Sequence, residues 1–256
     1  TSYSKAFKTN YSDIRKKFVE LSGRYDLVDS VWNDNGADFF LNAGQMLLDD
    51  MITAPKSTAR YLEKVTAGSY LVKTAGIKSV HEVWVTKHSD LSRYQLTKAT
   101  LSELRSEYGE EISVIQQGDP VYYAPVALRP YPDTLSGTSP TVLDFADLVL
   151  SDSHYTYNGI LLLPPCSEAM TVAIVGAFYS PALSASFNGS TWTQTKSWWT
   201  EVHPLAVLYA GLYTLETFYR NTEGANDWLK ALQLRLTGID FNTAEQEASE
   251  INQMEG

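Results

Sequence analysis

A single cysteine, Cys166, in a chain of 256 residues excludes an intramolecular disulfide and any thiolate metal cluster built within one chain. No apolar run approaches the roughly 20 residues that span a bilayer. Thr1 to Asn10 carries Lys5 and Lys8 but no apolar stretch of the secretory kind, so the chain is expected to be made in cytoplasm, away from any membrane. Without a secretory route, Asn10-Tyr11-Ser12 and Asn188-Gly189-Ser190 read as chance glycosylation triplets. Basic runs are missing as well. Lys and Arg number 20 against 30 Asp and Glu, for a formal charge of −10. The cations are scattered, so no footprint for a phosphate backbone is visible and sequence-specific nucleic-acid binding is not expected.

Catalytic signatures are equally scarce. The chain has no G-x-S-x-G, no G-x-x-x-x-G-K-[ST] and no G-x-G-x-x-G. Its four histidines, His81, His88, His154 and His203, fall in different elements, and none pairs with another at the i, i+4 spacing of a helical zinc site. His203, beside Pro204, could cap a helix, and His81 lies in a strand run. Cys166 follows Pro164-Pro165 with no neighbour that would lower its pKa, which fits an inert thiol. A glycosidase-type pair cannot be recognised from an abundance of carboxylates alone. The expectation is a protein that is not an enzyme and needs no cofactor or metal.

What is present is an ordinary globular composition, 44% apolar and 20% charged, in a chain long enough to bury roughly 70–75% of its unfolded surface. Ile14, Phe18 and Leu21 place a short amphipathic helix over Ser12 to Leu21, stopped by Gly23. Phe40, Ala43, Leu47 and Met51 repeat on one face of a second helix over Ala37 to Met51, closed by Pro55. Strand runs come next, at Ser69 to Val72 and Ile77 to Thr86 around Thr74-Ala75-Gly76. Thr100 and Glu103 form a capping box for a short helix ended by Gly109. The proline-interrupted Asp119 to Pro130 reads as edge strand or strand end. Asn158-Gly159 introduces a strand at Ile160 to Leu163, and Met170 to Tyr179 reads as a strand buried on both flanks. Leu135 to Tyr157 reads as an inserted loop with a short helix over Val142 to Leu150.

Helix returns with Pro204 at a first turn and Leu205, Leu208, Tyr209, Leu212, Leu215 and Tyr219 behind it. Asn226 caps a further helix with Trp228, Leu229, Leu232 and Leu236 on one face, ended by Gly238. From Thr243, a capping box with Gln246 starts a segment whose Glu245, Glu247 and Glu250 leave only Ile251 and Met254 as sizeable apolar residues. The fold class is α+β: terminal helices forming a helical bundle, a β-rich middle region and an extended C-terminal tail. The divisions fall at residues 1–60, 61–195, 196–241 and 242–256.

Trp192, Trp198 and Trp199 stand close in sequence. Exposed, they would mark a sugar-binding or protein-binding surface; buried, they would cover the helix opened by Pro204.

Several stretches, taken in order, resemble the head–tail adaptor (connector) proteins of tailed bacteriophages. They are Tyr11-Ser12-Asp13-Ile14-Arg15, Ala37 to Gln45, Gly118 to Ala124, Leu161-Leu162-Leu163-Pro164, and Trp198-Trp199 ahead of His203-Pro204. The resemblance spans most of the chain, and the order of elements carries it more than any single motif. It implies a virion structural protein of the neck, forming a ring of about twelve copies beneath the portal. It further implies that the tail (Thr243, Glu245, Gln246, Glu247, Glu250, Ile251, Met254) binds the portal protein, with a tail or nozzle protein and tail-fibre proteins as further partners. Trp192 and Trp198 would then belong to a tail- or fibre-facing surface. A carbohydrate-binding or fibre-attachment β-module, with all three tryptophans exposed, and a hydrolase, with a cleft joining carboxylates to a histidine, are the alternatives.

Overall fold

The structure is a computed structural model that describes residues 10–52, 57–126 and 157–254, with the side chains of Ser113, Tyr157, Asn158 and those after Ile239 excepted. It is a mixed α+β protein in two compact units. One joins the chain up to Ser57 with the chain from Tyr179 onward. The other is Thr58–Phe178, inserted between them.

In the first unit, α1 (Tyr11–Ser22) begins where the Asp13 carboxylate accepts the Asn10 backbone N–H, and ends at Gly23 with φ +67°. Ile14 and Phe18 are buried as their spacing predicts, but Leu21 is 54% exposed. The buried stripe is centred on Arg15 and Phe18, and Leu21 lies on its flank. A charged core residue was invisible to a count of apolar positions.

Helix α2 (Ala37–Met51) has the expected bounds but a rotated face: Ala37, Leu41, Gly44, Gln45, Leu48 and Asp49 are buried with Phe40. Ala43 and Leu47 are half-buried and Met51 is exposed. The helix turns its small and polar residues inward because they meet other elements closely. Pro55 lies outside the described residues.

Two short strands, β9 (Ala185–Phe187) and β10 (Trp192–Gln194), pair antiparallel. They precede α4 (Trp198–Val202) and α5 (Pro204–Phe218), whose proline occupies the first turn. Helix α6 then runs unbroken over Thr222–Met254. This corrects three expectations, one of them the separate segment opened by a capping box at Thr243, which lies inside the helix. The cap is Asn221, whose Oδ1 accepts the Gly224 N–H at 3.3 Å, so Asn226 is already inside the helix. Gly238 does not end it, because its φ is not positive and a helical glycine only lowers propensity by about 1 kcal/mol. Phe18, Leu41, Leu48, Trp199, Val207, Leu212, Leu232 and Ile239 share one core, which draws on α1, α2, α4, α5 and α6.

Among the described residues the second unit contains two four-stranded sheets. The first has the order β1 (Thr58–Val65), β8 (Met170–Phe178), β3 (Ile77–Lys87) and β4 (Arg93–Gln95), all antiparallel. The second has the order β2 (Leu71–Ala75), β7 (Tyr157–Leu163), β6 (Tyr122–Val126) and β5 (Thr97–Lys98). β2 turns into β3 at Gly76, φ +68°. Val83, Val85, Val172 and Ile174 of the first sheet share a core with Val72, Tyr123, Ile160 and Leu162 of the second. On the far side of the second sheet, Leu161, Leu163, Ala124 and Val126 pack with Leu104 and Ile112. The unbroken apolar run of β7 is thereby buried on both faces.

Helix α3 (Leu101–Tyr108) carries the predicted capping box: Glu103 N–H donates to Thr100 Oγ1 at 3.2 Å, and Thr100 N–H to Glu103 Oε2 at 2.7 Å. Pro125 is tolerated because β5 pairs only with Tyr122 and Tyr123, so that among the described residues no strand lies on that edge of β6 at Pro125, whose other edge pairs with Ile160 of β7. Asn158-Gly159 makes no turn; both residues lie within β7, opposite Thr74 and Lys73. The helix expected over Val142 to Leu150, and His154, lie outside the described residues.

Candidate interaction surfaces

The tryptophan cluster is built into the helical unit. Ser197 opens α4 and donates through Oγ to Gln45 Oε1 at 2.6 Å. This sets Trp199, with no exposed surface, against α2, where its Nε1–H donates to Asp49 Oδ1 at 2.7 Å. The same carboxylate accepts the Ser180 N–H at 2.8 Å and the Ser180 hydroxyl at 2.9 Å. Gln45 Nε2 donates to the Pro181 carbonyl at 2.9 Å, so two polar residues of α2 hold both α4 and the segment entering β9. Trp198 is half-buried, edge-on to Trp199 and to His203 at 4.8 Å each. Trp192 is half-buried against Phe187 at 5.3 Å, and Lys16 Nζ lies 5.8 Å from its ring centre. The reading as a sugar platform required three exposed rings, and Trp199 is fully enclosed.

A second buried network fixes α1 on α2. Arg15 is completely buried; Nε and Nη2 donate to the Asp38 carboxylate at 2.7 and 2.6 Å, Nη1 donates to the Trp32 carbonyl at 3.1 Å, and Nη2 also donates to the Ala185 carbonyl at 2.9 Å. The Tyr11 hydroxyl donates to Asp38 Oδ1 at 2.5 Å. Burial, reinforced by the adjacent carboxylate, pushes the Tyr11 phenol well above its ordinary value. Burial also raises Asp38, against the pull of Arg15 and Tyr11.

Two groups that could carry chemistry sit in structural positions. The Cys166 thiol is fully buried in the core of the sheet unit, and that burial pushes it up to about 11, so almost no thiolate forms at neutral pH. His203 joins α4 to α5 but caps neither through its side chain; Nδ1 is buried with no hydrogen-bond partner among the described residues. Burial lowers its pKa, with Arg235 of α6 adding to the effect. His81 and His88 are exposed, touching Ser79 and Thr171 respectively. Among the described residues no group of three or more His, Cys, Asp or Glu could hold a metal ion, and no helix is long and apolar enough to cross a membrane.

The surface carries an aromatic patch; of its exposed rings apolar periodicity named only Tyr219, which it placed on the buried face of its helix and which is 46% exposed. Phe39 at 65% and Phe218 at 64% exposure both touch the buried Phe40, at 5.2 and 5.5 Å, and Tyr219 joins Phe218 at 5.3 Å. The Arg24 guanidinium covers Tyr219 at 4.3 Å. The signal in the sequence was the Phe39-Phe40 doublet, since adjacent residues on a helix point about 100° apart and both cannot enter one core.

The predicted partner-binding residues Thr243, Glu245, Gln246, Glu247, Glu250, Ile251 and Met254 lie on the last turns of α6, where the backbone is helical and the side chains fall outside the described residues. No family model matches the chain, and no curated protein matches it.

Proposed function

We propose that the chain is a virion structural protein, a head–tail adaptor that forms a ring beneath the portal and joins the capsid vertex to the tail. In this reading α1, α2, α5 and α6 form the bundle, the sheet unit is its elaboration, and the end of α6 from Thr243 meets the portal protein. A tail or nozzle protein sits on the other side, with Trp192 and Trp198 near a tail- or fibre-facing surface. The family resemblance and the order of elements support the reading. The observation that carries it is the form of α6. Its helical backbone runs on to Met254 through a sequence that holds four acids and no Lys or Arg from Asp240 to Met254. A helix of that composition does not form a core of its own.

The test is truncation after Asn242. The expected result is an unchanged thermal melt together with loss of co-sedimentation on portal-bearing particles. Normal docking of the truncated chain overturns the assigned interface. The purified chain is expected to be largely monomeric by light scattering and to close into a ring only on a symmetric template.

A further inference from the structure

The first sheet buries one face, and its other face is unlike the rest of this acidic molecule. Tyr61, Val65, Val83, Val85, Val172 and Ile174 point into the core. Alternation therefore sends Leu62, Ala173 and Trp84, aligned across three strands, to the opposite face. Leu62 is 51% exposed, and Trp84 is half-buried. Arg60 and Lys64 flank Leu62 on β1, and the Arg93 guanidinium lies 4.9 Å from the centre of the Trp84 ring. The one carboxylate in these rows, Glu82, is taken up by the Trp84 Nε1–H at 2.7 Å. Arg60 and Lys64 make no ion pair with a described residue. In a chain of net charge −10 this is an apolar strip between three cations.

The same sequence contains its complement. From Asp240 to Gly256 it places five carboxylates and no cation, while Phe241, Ala244, Ala248 and Ile251 recur at helical spacing in a backbone that is helical to Met254. We infer that this face binds the C-terminal segment of a second copy, the apolar stripe against Leu62 and Trp84 and the glutamates against Arg60, Lys64 and Arg93. The inference rests on the adaptor reading and deepens it: each C-terminal helix clasps a neighbouring copy on its way to the portal. Weak contacts of this kind, repeated around a closed ring, act together through effective concentration.

Carbodiimide joins an amine to a carboxylate only where the two already touch, so the test is zero-length cross-linking of a mixture of heavy-isotope-labelled and unlabelled full-length chains, concentrated well above the range in which the chain is monomeric so that this weak contact is populated. The expected product joins Lys64 to Glu245, Glu247 or Glu250 of the other isotope. In parallel, a labelled peptide of residues 240–256 is titrated onto the full-length chain at low salt. Reversing two exposed charges, Arg60→Glu with Lys64→Glu, is expected to weaken binding about tenfold, and a peptide with the three glutamates changed to lysine is expected to restore it. Lys64 links found only within one copy, or absent, overturn the inference, as does peptide binding indifferent to the charge reversal. Loss of portal co-sedimentation on truncation, with no Lys64 link, sinks this inference alone; the link without portal docking sinks the adaptor reading and leaves the self-contact standing.

Discussion

Gly44 and Gly211 face each other where α2 crosses α5. A Cβ on Gly44 would stand 2.5 Å from the Gly211 backbone nitrogen, whereas one on Gly211 would stand 2.9 Å from a Leu41 methyl. The first obstacle is backbone and the second is the end of a side chain, so the two positions differ in what can give way. Gly44→Ala is expected to cost about 3 kcal/mol and Gly211→Ala nearer 1 kcal/mol, the lower end of overpacking penalties. Gly238→Ala, in open surroundings inside α6, is expected to stabilise by up to about 1 kcal/mol through helix propensity. Urea midpoints for the three variants check the order; equal losses at Gly44 and Gly211 would mean that the helices slide apart without resistance.

Asp49 holds Trp199 and both polar groups of Ser180. Asp49→Ala leaves three donors without this acceptor, and the loss is expected to reach about 3 kcal/mol, near the cost of unpairing buried charged hydrogen bonds. The Trp199 fluorescence should shift with it. A melting curve indistinguishable from that of the parent would show that water replaces the carboxylate at no cost.

His203 sets a sign for acid stability. Its folded pKa is lowered by burial and by Arg235, so the unfolded chain binds the proton more readily. The contribution is then intact above the ordinary imidazole value and declines as pH falls through it. His203→Phe, which keeps a ring against Trp198, is expected to flatten that part of the stability profile between pH 7 and pH 5. A slope that survives the substitution would place the acid sensitivity elsewhere.

Cys166 is expected to resist thiol reagents until the sheet unit opens, because the thiol is enclosed and its pKa is pushed up to about 11. Cys166→Ser puts a hydroxyl into that core and is expected to cost about 1–2 kcal/mol and, on the proposed adaptor role, to leave particle assembly unchanged. Rapid labelling of the folded chain would contradict the enclosure.

Helix bounds were legible wherever local chemistry sets them. The Thr100 and Glu103 capping box, Gly23 after α1 and Pro204 at the start of α5 act through neighbouring backbone groups, and all three sit where their spacing puts them. Faces were less legible. Buried Arg15, Gln45 and Asp49 owe their positions to partners as distant in sequence as Ala185, Ser197 and Trp199, and no local pattern announces such pairings. Gly238 misled because glycine ends a helix only when it takes the left-handed conformation, and in α6 the residues beyond it continue the helix instead. The sheet face with Trp84, Arg60 and Lys64 was hidden for a similar reason. Its strands β1, β8 and β3 are not consecutive, and the face exists only once they pair.

The insertion of the sheet unit sets an order of birth. Gly44 of α2 is made early and Gly211 of α5 late, with the whole of Thr58–Phe178 between them. At about 5–20 residues per second, α1 and α2 leave the ribosome roughly 10–30 s before α5 exists to cover them. The sheet unit, whose β1 pairs with its own last strand β8, can close in that interval without waiting for either end of the chain. The young helices, with Phe18, Leu41 and Leu48 unburied, are therefore the part of the nascent chain most in need of a chaperone, and the late arrival of α5 completes the helical unit.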